Sequence, residues 1–488
     1  EIRASDWSSD VCSSDLAVRK MTKLTVDDYS FRSNDFVNSL DDDYKKKNGI
    51  FYTDVQLAIE IVKELDINSK SIILDPCCGA GSFLYAAMSN GCENVYGADL
   101  VDEAVKMCKS LTNLPTIKKC DTLGKKGKDV LKTLGLKERV DYVIGNPPYA
   151  PMEKDIVIDT DDYDFLRSVK DSGSNLFIAA IYRAFELTRN EGYISYIIPK
   201  NFLHVRSYSI LRREILNNKR IVSIIDIGAY FARVRGEQIV LTLQNSPKLD
   251  NKIRIMQLTD HKFVECCTVP QSFYKDEILL FKSQEEYSIY CKMQKPYKKF
   301  SDICTGYVGR GRSTSTEAVS GKDIRKFGFK DREVPKKGNQ VFIQNIYSAE
   351  SGIIASFAGN YEASQTVTIF TDGDEKMCRY IVGILHSRLC NFYLYKFCYN
   401  SSKLTMHTDK KYLANIPLVK DDSTKEFSQL IEAVKALEKL DYMSSDWFDL
   451  FDSLNSLVYK IYNIDEKEAA YIDAEMLSIQ SKRWSNGK

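Results

Sequence analysis

Residues 141–149 (DYVIGNPPY) hold the side chains with the clearest chemical potential in this sequence of 488 residues. The segment is a short apolar run that ends in Asn-Pro-Pro-Tyr, and two consecutive prolines oppose both continuation of a strand and formation of a helix. We therefore expect the amide of Asn146, the carbonyl of Pro147 and the ring of Tyr149 in a rigid loop after a buried strand. Two hydrogen-bond acceptors beside an aromatic ring suit a flat substrate that carries an amino group.

The chemistry that this loop could support is activation of a weak nucleophile. An amine conjugated to a heterocycle attacks poorly because its lone pair is delocalised. If the Asn146 side-chain oxygen and the Pro147 carbonyl each accept one of its hydrogens, the nitrogen moves towards tetrahedral geometry and its lone pair points at an electrophile. Hydrogen bonds that strengthen as charge develops would then supply the catalysis, without a covalent intermediate. The tetrapeptide is equally compatible with a plain turn. The motifs around it must therefore distinguish a catalytic loop from a turn.

A glycine-rich turn follows the predicted strand 71–75 (SIILD). Glycines in residues 76–83 (PCCGAGSF) would let the backbone approach a ligand closely before a helix begins. The turn lacks the Lys-Ser/Thr of a phosphate-binding P-loop, and its glycine spacing differs from G-x-G-x-x-G. A phosphate site is therefore disfavoured.

Polar residues end the next predicted strands as well. Residues 94–98 lead to Asp99, about twenty residues after the glycine turn, which is the spacing at which an acidic side chain binds ribose hydroxyls. Residues 116–120 lead to Asp121. Such strands, alternating with helices, predict a doubly wound, mostly parallel α/β sheet that binds ligands beyond its carboxyl ends.

The same alternation continues to residue 243. It predicts helices at 175–187 and near 208–216, and strands at 193–198, 221–227 and 238–243.

Two flanking segments have alternative interpretations. Thr53 precedes a helical pattern at 54–65, where it could cap the helix or help its exposed N–H groups to hold a ligand carboxylate. Phe231 lies beside Arg233 and Arg235 between two predicted strands, where it could pack in the core or stack on a base whose phosphates the arginines contact.

The order of these motifs resembles the gamma class of amino DNA methyltransferases, specifically the N6-adenine enzymes of restriction–modification systems. The motifs are GxFYT (49–53), DPxCGxGxF (75–83), GADL (97–100), a strand-end aspartate and NPPY (146–149). The similarity covers about residues 49–243. It implies an S-adenosylmethionine-dependent, Rossmann-like catalytic domain that acts on double-stranded DNA and flips the target adenine out of the helix.

The resemblance also implies a role for each motif residue. Thr53 would bind the methionine carboxylate of the cofactor, and Asp54 stands where the family often has proline. The remaining cofactor residues would be Asp75, Cys77, Gly79 and Gly81 around the methionine, Asp99 at the ribose and Asp121 at the adenine amino group. The substrate residues would be Asn146 and Pro147 at the target amine, with Tyr149 and Phe231 stacked on the extruded base.

Sequence composition predicts a second domain after the catalytic one. Residues 1–20 are expected to be a non-native extension, because 1–16 resemble translated sequencing-adapter read-through. The polar, proline-containing segment 245–252 (NSPKLDNK) suggests a boundary between a catalytic domain at 21–247 and an α+β target-recognition domain at 248–488.

Three parts of the second region are singled out. Residues 305–316 contain Arg310 and Arg312 in a glycine-rich loop, which could contact DNA or simply be solvated. A predicted helix at 378–392 leads to 403–418, a stretch that weakly resembles recognition modules. Residues 427–462 are helical by periodicity.

Composition narrows the functional class. The sequence has no apolar run of membrane-spanning length and no secretory signal, so a cytoplasmic protein is expected. Its thirteen cysteines include no C-x-x-C pair and its four histidines are well separated, so no metal site is expected. A net charge of +1 argues against a uniformly basic surface but leaves room for a local basic cleft.

Alternative substrates remain open. Cytosine N4 is chemically similar to adenine N6, although that activity more often has serine at the Asn146 position. The same tetrapeptide also resembles N-methyltransferases that act on RNA or on a protein glutamine amide. A non-catalytic DNA specificity protein would be expected to have lost the cofactor turn or the tetrapeptide, and both are intact. A separate restriction endonuclease is compatible with the sequence as a partner.

Overall fold

The computed structural model describes most of the chain in segments. These are residues 24–39, 53–152, 162–231, 236–247, 250–294, 298–299, 308–359, 361–372, 374–399, 401, 407–408, 413–414, 416–419 and 423–484. The chain divides into two compact units, Glu1–Ile278 and Leu279–Lys488.

Nine strands of the first unit form one sheet among the described residues. They are β1 (Ile72–Asp75), β2 (Asn94–Asp99), β3 (Ile117–Lys119), β4 (Val140–Gly145), β5 (Thr188–Pro199), β6 (Arg220–Gly228), β7 (Gln238–Gln244), β8 (Lys252–Thr259) and β9 (Lys262–Pro270).

Helices alternate with these strands. They are α1 (Val26–Ser39), α2 (Val55–Lys63), α3 (Ser82–Ser89), α4 (Asp102–Thr112), α5 (Gly127–Leu134), α6 (Tyr163–Asp171), α7 (Leu176–Leu187) and α8 (Ser209–Asn218).

The strand order is β3-β2-β1-β4-β5-β7-β6-β8-β9. Strands β3, β2, β1, β4 and β5 are parallel to one another, whereas β7 runs antiparallel to both β5 and β6. The chain order reverses between β1 and β4, so their carboxyl ends form the switch point at which α/β sheets bind ligands. The predicted α/β, mostly parallel fold is confirmed.

Burial explains why the central strands are apolar throughout. Ile73 and Leu74 of β1, and Val143 and Ile144 of β4, are fully buried because helices cover both faces of the sheet. The charged side chains of these two strands, Asp75 and Asp141, lie near the strand ends. Because β1 and β4 are parallel neighbours, Asp75 and the residue after Gly145 lie at the same edge.

The sheet continues past the segment predicted to end the catalytic domain. Strand β8 pairs with β6 and β9 pairs with β8, so the chain after the predicted linker returns to the same sheet. The division between the compact units falls after Ile278, later than the predicted boundary at 247/248. A polar stretch with proline marks a surface turn as readily as a domain boundary.

The second unit combines a small sheet with a helical bundle. Its described sheet has the order β11-β16-β14-β15, from β11 (Val308–Arg310), β14 (Gln340–Gln344), β15 (Ala355–Ala358) and β16 (Val367–Thr371). The short strands β10 (Lys298–Lys299) and β17 (Pro417–Leu418) pair with each other, as do β12 (Ile324–Arg325) and β13 (Gly328–Phe329). The helices are α9 (Gln284–Met293), α10 (Glu375–His386), α11 (Arg388–Tyr393), α12 (Lys425–Leu437), α13 (Ser445–Ile461) and α14 (Glu466–Trp484).

The helices predicted in this region are present, but each is divided. The stretch predicted at 427–462 forms α12 and α13, with residues 438–444 between them. The helix expected at 378–392 is divided at Ser387, whose side chain accepts a hydrogen bond from the Cys390 N–H at 3.1 Å and caps α11. Most of the segment 403–418 and all of 1–20 lie outside the described residues. No helix in the described ranges is both long and apolar enough to cross a membrane.

Candidate active site

The Asn-Pro-Pro-Tyr loop leaves the sheet directly beside the glycine-rich turn. Strands β4 and β1 are neighbours, and Gly145 ends β4 next to Asp75, which ends β1. A Cβ atom on Gly145 would lie 2.6 Å from the Asp75 Oδ1 atom, which is too close for two non-bonded heavy atoms. Glycine is therefore required here, because it lets the two loops touch.

Within this loop the side chains of Asn146 and Tyr149 are in contact. The Tyr149 hydroxyl lies 2.5 Å from Asn146 Oδ1 and 3.0 Å from the carbonyl oxygen of Ile197 on β5. Burial raises the pKa of Tyr149 well above its ordinary value, so the hydroxyl remains protonated. Pro147 is buried, while Asn146 and Tyr149 are half-buried at the edge of the sheet.

The glycine-rich turn is held by the acidic residues at the strand ends. The Asp99 carboxylate accepts hydrogen bonds from the Gly79 N–H at 2.8 Å and the Val101 N–H at 2.9 Å. Asp75 accepts from the Cys77 N–H at 3.0 Å, and burial raises its pKa to about 8. Asp75 and Asp99 thus both hold backbone N–H groups of the glycine-rich turn.

Gly81 begins α3 in a left-handed conformation, with φ of 94°. A Cβ atom at this position would overlap the Cys108 sulfur of α4 and approach the Tyr29 hydroxyl. Glycine is needed here for both its backbone angle and its small size. The turn therefore packs tightly against α1 and α4.

A helix before the first motif covers this turn, and sequence analysis did not find its role. Tyr29 of α1 is fully buried, and its hydroxyl donates to the Ala80 carbonyl at 2.7 Å. A second hydrogen bond joins the same two regions, because the Tyr85 hydroxyl of α3 donates to the carbonyl of Leu24, just before α1, at 2.6 Å. A tyrosine in an amphipathic helix carries no sequence signal for such a contact.

Thr53 lies beside the turn but does not cap α2. The cap is Asp54, whose carboxylate accepts from the Gln56 N–H at 2.7 Å and the Leu57 N–H at 3.2 Å. The capping interpretation of Thr53 is therefore wrong. Helix capping also gives Asp54 a role at the position where the family often has proline. Thr53 is nearly buried, and its carbonyl accepts from the Ser82 hydroxyl at 2.7 Å. Residues 49–52 of the same motif lie outside the described residues.

Asp121 follows β3, two strands away from β1 in the sheet. Its carboxylate accepts from the Gly124 N–H at 2.8 Å, and the neighbouring Thr122 hydroxyl donates to the Pro76 carbonyl at 2.8 Å. The loop after β3 is thereby tied to the glycine-rich turn. The acidic residues predicted for methionine, ribose and adenine thus follow the spatial order β1, β2, β3.

Tyr196 is a buried residue of this region that sequence analysis missed. It pairs with Gly145 in the parallel register of β4 and β5, so its side chain points to the face on which Gly145 meets Asp75. Its hydroxyl is buried without a hydrogen-bond partner in the part of the chain that the structure describes. Burial raises its pKa, and the neighbouring Cys77 and Asp75 act in the same direction. In sequence, a tyrosine within an apolar strand looks like an ordinary core residue, so nothing indicated that its hydroxyl lies near the site.

The predicted DNA-contacting residues are only partly described. Phe231 is half-buried after β6, with its ring centroid 5.4 Å from that of Tyr230 in an edge-to-face arrangement. Arg233 and Arg235 lie outside the described residues. In the second unit, Arg310 ends β11 and Arg312 follows it, and both side chains are exposed.

The described residues include neither a metal-binding cluster nor a disulfide. No group of three or more His, Cys, Asp or Glu side chains is placed to hold a metal ion there. The described cysteines are free thiols.

Comparison with known proteins places the chain near restriction–modification methyltransferases. Residues 93–232 match the profile of the Eco57I restriction-modification methylase family. Over 203 residues the chain is 28% identical to the Type II methyltransferase M.VspI of Vibrio sp. (strain 343), covering 40% of this chain and 48% of that protein. Over 109 residues it is 29% identical to the adenine-specific methyltransferase BrxX of Escherichia coli O9:H4 (strain HS), covering 22% of this chain and 9% of that protein. The chain spans about half the length of M.VspI and a small part of BrxX.

A solved structure shares the fold over most of the chain. The Type IIL restriction-modification enzyme MmeI, determined in complex with DNA, superimposes with a TM-score of 0.52 at 12% identity. The match covers 93% of this chain and 82% of that chain. The chain therefore has the mixed α/β fold of a restriction–modification enzyme.

Proposed function

We propose that this protein is an S-adenosylmethionine-dependent DNA methyltransferase that modifies N6 of an adenine extruded from the duplex. We further propose that it serves as the modification enzyme of a restriction–modification system. The observation that carries this proposal is the contact between Gly145 and Asp75, because it joins the amine-orienting loop to the cofactor turn. The family profile spanning β2 to the loop after β6 supports the same reaction.

The residues around the turn fit the cofactor chemically. The Asp75 carboxyl and the orphaned Tyr196 hydroxyl are acceptors suited to an α-ammonium group. Asp99 can accept hydrogen bonds from ribose hydroxyls, and Asp121 can accept from an exocyclic amine. Neutral adenosine and a zwitterionic amino acid match this set better than a phosphate would, since these side chains are acidic.

Asn146 and Pro147 would perform the chemical step. The bound cofactor supplies an electrophilic methyl group on a sulfonium sulfur. Asn146 Oδ1 and the Pro147 carbonyl would accept the two N6 hydrogens and direct the nitrogen lone pair at that methyl carbon. Attack of the amine on that methyl group would leave the electron pair of the C–S bond on sulfur, and the methylated amine would lose one proton to solvent.

Aromatic residues would hold the base in place. Tyr149 lies two residues after Pro147, and Phe231 follows β6 at the same edge of the sheet. Extrusion of a base costs a few kcal/mol, which stacking on such rings partly offsets. Arg233 and Arg235 are proposed to contact the phosphates that flank the extruded nucleotide.

The second unit is proposed to recognise the DNA target. The exposed Arg310 and Arg312 follow a strand of its small sheet, where they could reach phosphates or guanine edges. MmeI, which has the same fold over most of this chain, was determined bound to DNA. Double-stranded DNA is therefore the proposed partner, and a separate restriction endonuclease could complete the system.

A labelling experiment tests the proposal. The protein is incubated with S-adenosylmethionine tritiated on its methyl group and with duplex DNA, ribosomal RNA or a release factor. We expect label only in DNA, and nucleoside chromatography should identify N6-methyladenine. The variant Asn146→Ala should bind the cofactor with unchanged affinity and transfer nothing.

Other outcomes select the alternatives. Label in RNA or in a protein glutamine would replace the DNA substrate, and N4-methylcytosine would replace the target base. DNA binding without any label would indicate a specificity protein. Loss of cofactor binding in Asn146→Ala would assign that residue a structural role.

A further inference from the structure

Asn175 is the side chain that connects the catalytic loop to the helix behind it. Its Nδ2 group donates a hydrogen bond to the Tyr149 carbonyl at 3.1 Å. Its Oδ1 atom accepts from the Phe177 N–H at 3.2 Å and caps α7. One amide therefore serves both the loop and the helix.

Backbone hydrogen bonds continue this connection along the chain. The Leu176 N–H donates to the Ala150 carbonyl at 3.0 Å, and the Met152 N–H donates to the Ser174 carbonyl at 2.8 Å. Pro151 and Asn175 form an antiparallel bridge between these two bonds. Residues 150–152 are thus held against 174–176, and the Asn175 side chain extends the contact to Tyr149.

The C-terminal half of α7 is also held in place, so the helix can fix the position of the loop at its N-terminal end. Arg183 is 1% exposed, lies 4.0 Å above the Phe165 ring, and donates to the Leu123 carbonyl at 3.2 Å. Glu186 accepts from the Gly127 N–H at 3.0 Å and pairs with Arg183. The helix therefore cannot shift without disturbing the loop that carries Asp121.

The position of Tyr149 in turn affects Asn146. Asn175 donates to the Tyr149 carbonyl, and the Tyr149 hydroxyl contacts Asn146 Oδ1 at 2.5 Å. We propose that Asn175 is a positioning residue for methyl transfer, which fixes the orientation of Tyr149 and through it the Asn146 amide. This inference rests on the proposed function, and it adds a residue outside the four-residue motif.

Substitutions at Asn175 can separate the two roles of the amide. Aspartate has nearly the same shape and is an equally good helix cap, but it has no donor for the Tyr149 carbonyl. Serine also caps a helix, and its side chain is too short to reach both partners. Asn175→Asp and Asn175→Ser should therefore preserve α7 and lose the loop contact. Ser444→Asp, an exchange of one good cap for another on α13, is the matched control.

The decisive readout separates turnover from binding. In both Asn175 variants we expect kcat to fall about fivefold, because the Asn146 amide loses an orientation that a hydrogen bond worth about 1 kcal/mol provides. The cofactor Kd should change less than twofold and the Tm by less than about 2 °C. Ser444→Asp should leave all three values unchanged.

Hydrogen exchange tests the same inference without relying on DNA methylation. The amides of Tyr149, Ala150 and Met152 should exchange faster in Asn175→Asp, while the core of α7 keeps its protection. Unchanged exchange in this loop, or wild-type kcat in both variants, would overturn the positioning role. Equal losses of kcat, cofactor affinity and Tm would reduce Asn175 to a structural residue. A wild-type protein that methylates no DNA would contradict the proposed function instead.

Discussion

The hydroxyl of Tyr149 lies 2.5 Å from the side-chain oxygen of Asn146, within one rigid loop. The same hydroxyl is 3.0 Å from the Ile197 carbonyl on the neighbouring strand β5. Since a phenol has one proton, it donates to one of these oxygens at a time. Tyr149 therefore does more than present a ring, because it also sets the direction of the amide oxygen next to it.

Removing this hydroxyl should slow turnover without abolishing it. Tyr149→Phe keeps the ring for stacking and loses a hydrogen bond worth about 1 kcal/mol, which corresponds to roughly a fivefold decrease in kcat. Steady-state kinetics on duplex DNA would measure the change. Tyr142→Phe removes a buried hydroxyl that bonds the Asp66 carbonyl and serves as the control. A tenfold rise in KM at constant kcat would mean that the hydroxyl acts in base binding.

Gly145 should be intolerant of any side chain. Gly145→Ala would place a Cβ atom 2.6 Å from Asp75 Oδ1, so either the catalytic loop or the Asp75 carboxylate must move. We expect at least a hundredfold loss of kcat/KM in the same labelling assay. Gly91→Ala is the control, because Gly91 also has a positive φ of 89° but has open space around its Cα. Equal losses in both variants would attribute the effect to backbone strain alone.

Asp99 should determine cofactor affinity more than turnover. Its carboxylate already orders Gly79 and Val101, and ribose hydroxyls would add further charge-assisted hydrogen bonds. Asp99→Ala should raise the cofactor Kd, measured by calorimetry, by about ten- to a hundredfold. The Kd of Asp99→Asn should lie between those of the wild type and Asp99→Ala. An unchanged Kd with a reduced kcat would show that Asp99 does not bind the ribose.

Asp75 should make the stability of the ligand-free protein depend on pH. Burial raises its folded pKa to about 8, above the unfolded value near 3.8. The folded state therefore prefers the neutral acid, and the stability from this group is fully present below pH 3.8 and lost as pH rises through 8. Asp75→Asn cannot titrate, so its Tm relative to the wild type should increase from pH 5 to pH 9. A difference in Tm that stays constant over this range would contradict the raised pKa.

The strand ends that carry the candidate site could be predicted because burial restricts what a central parallel strand may contain. Asp75, Asp99 and Asn146 each follow an apolar run, and Asp121 follows a short strand, where the strands reach the edge of the sheet. This is a local signal, and the observed parallel pairing places these ends at one edge.

Other features depend on contacts between distant parts of the chain. Tyr29 packs over the Ala80 carbonyl, and the orphaned hydroxyl of Tyr196 faces Asp75 across a glycine, yet each tyrosine resembles an ordinary core residue in sequence. Strands β8 and β9 were missed because a polar turn before them resembled a linker. The role of Asn175 was hidden for the same reason, since a helix-capping asparagine is common.

In the proposed reaction the methyl donor lies next to the corner formed by Asn146 and Pro147. A crystal structure of the protein soaked with S-adenosylmethionine would show whether it does. We expect the sulfonium methyl group to face the Asn146 side chain and the Pro147 carbonyl, with room between them for a planar amine. A sulfonium group bound far from this corner, or separated from it by intervening side chains, would rule out the proposed methyl transfer.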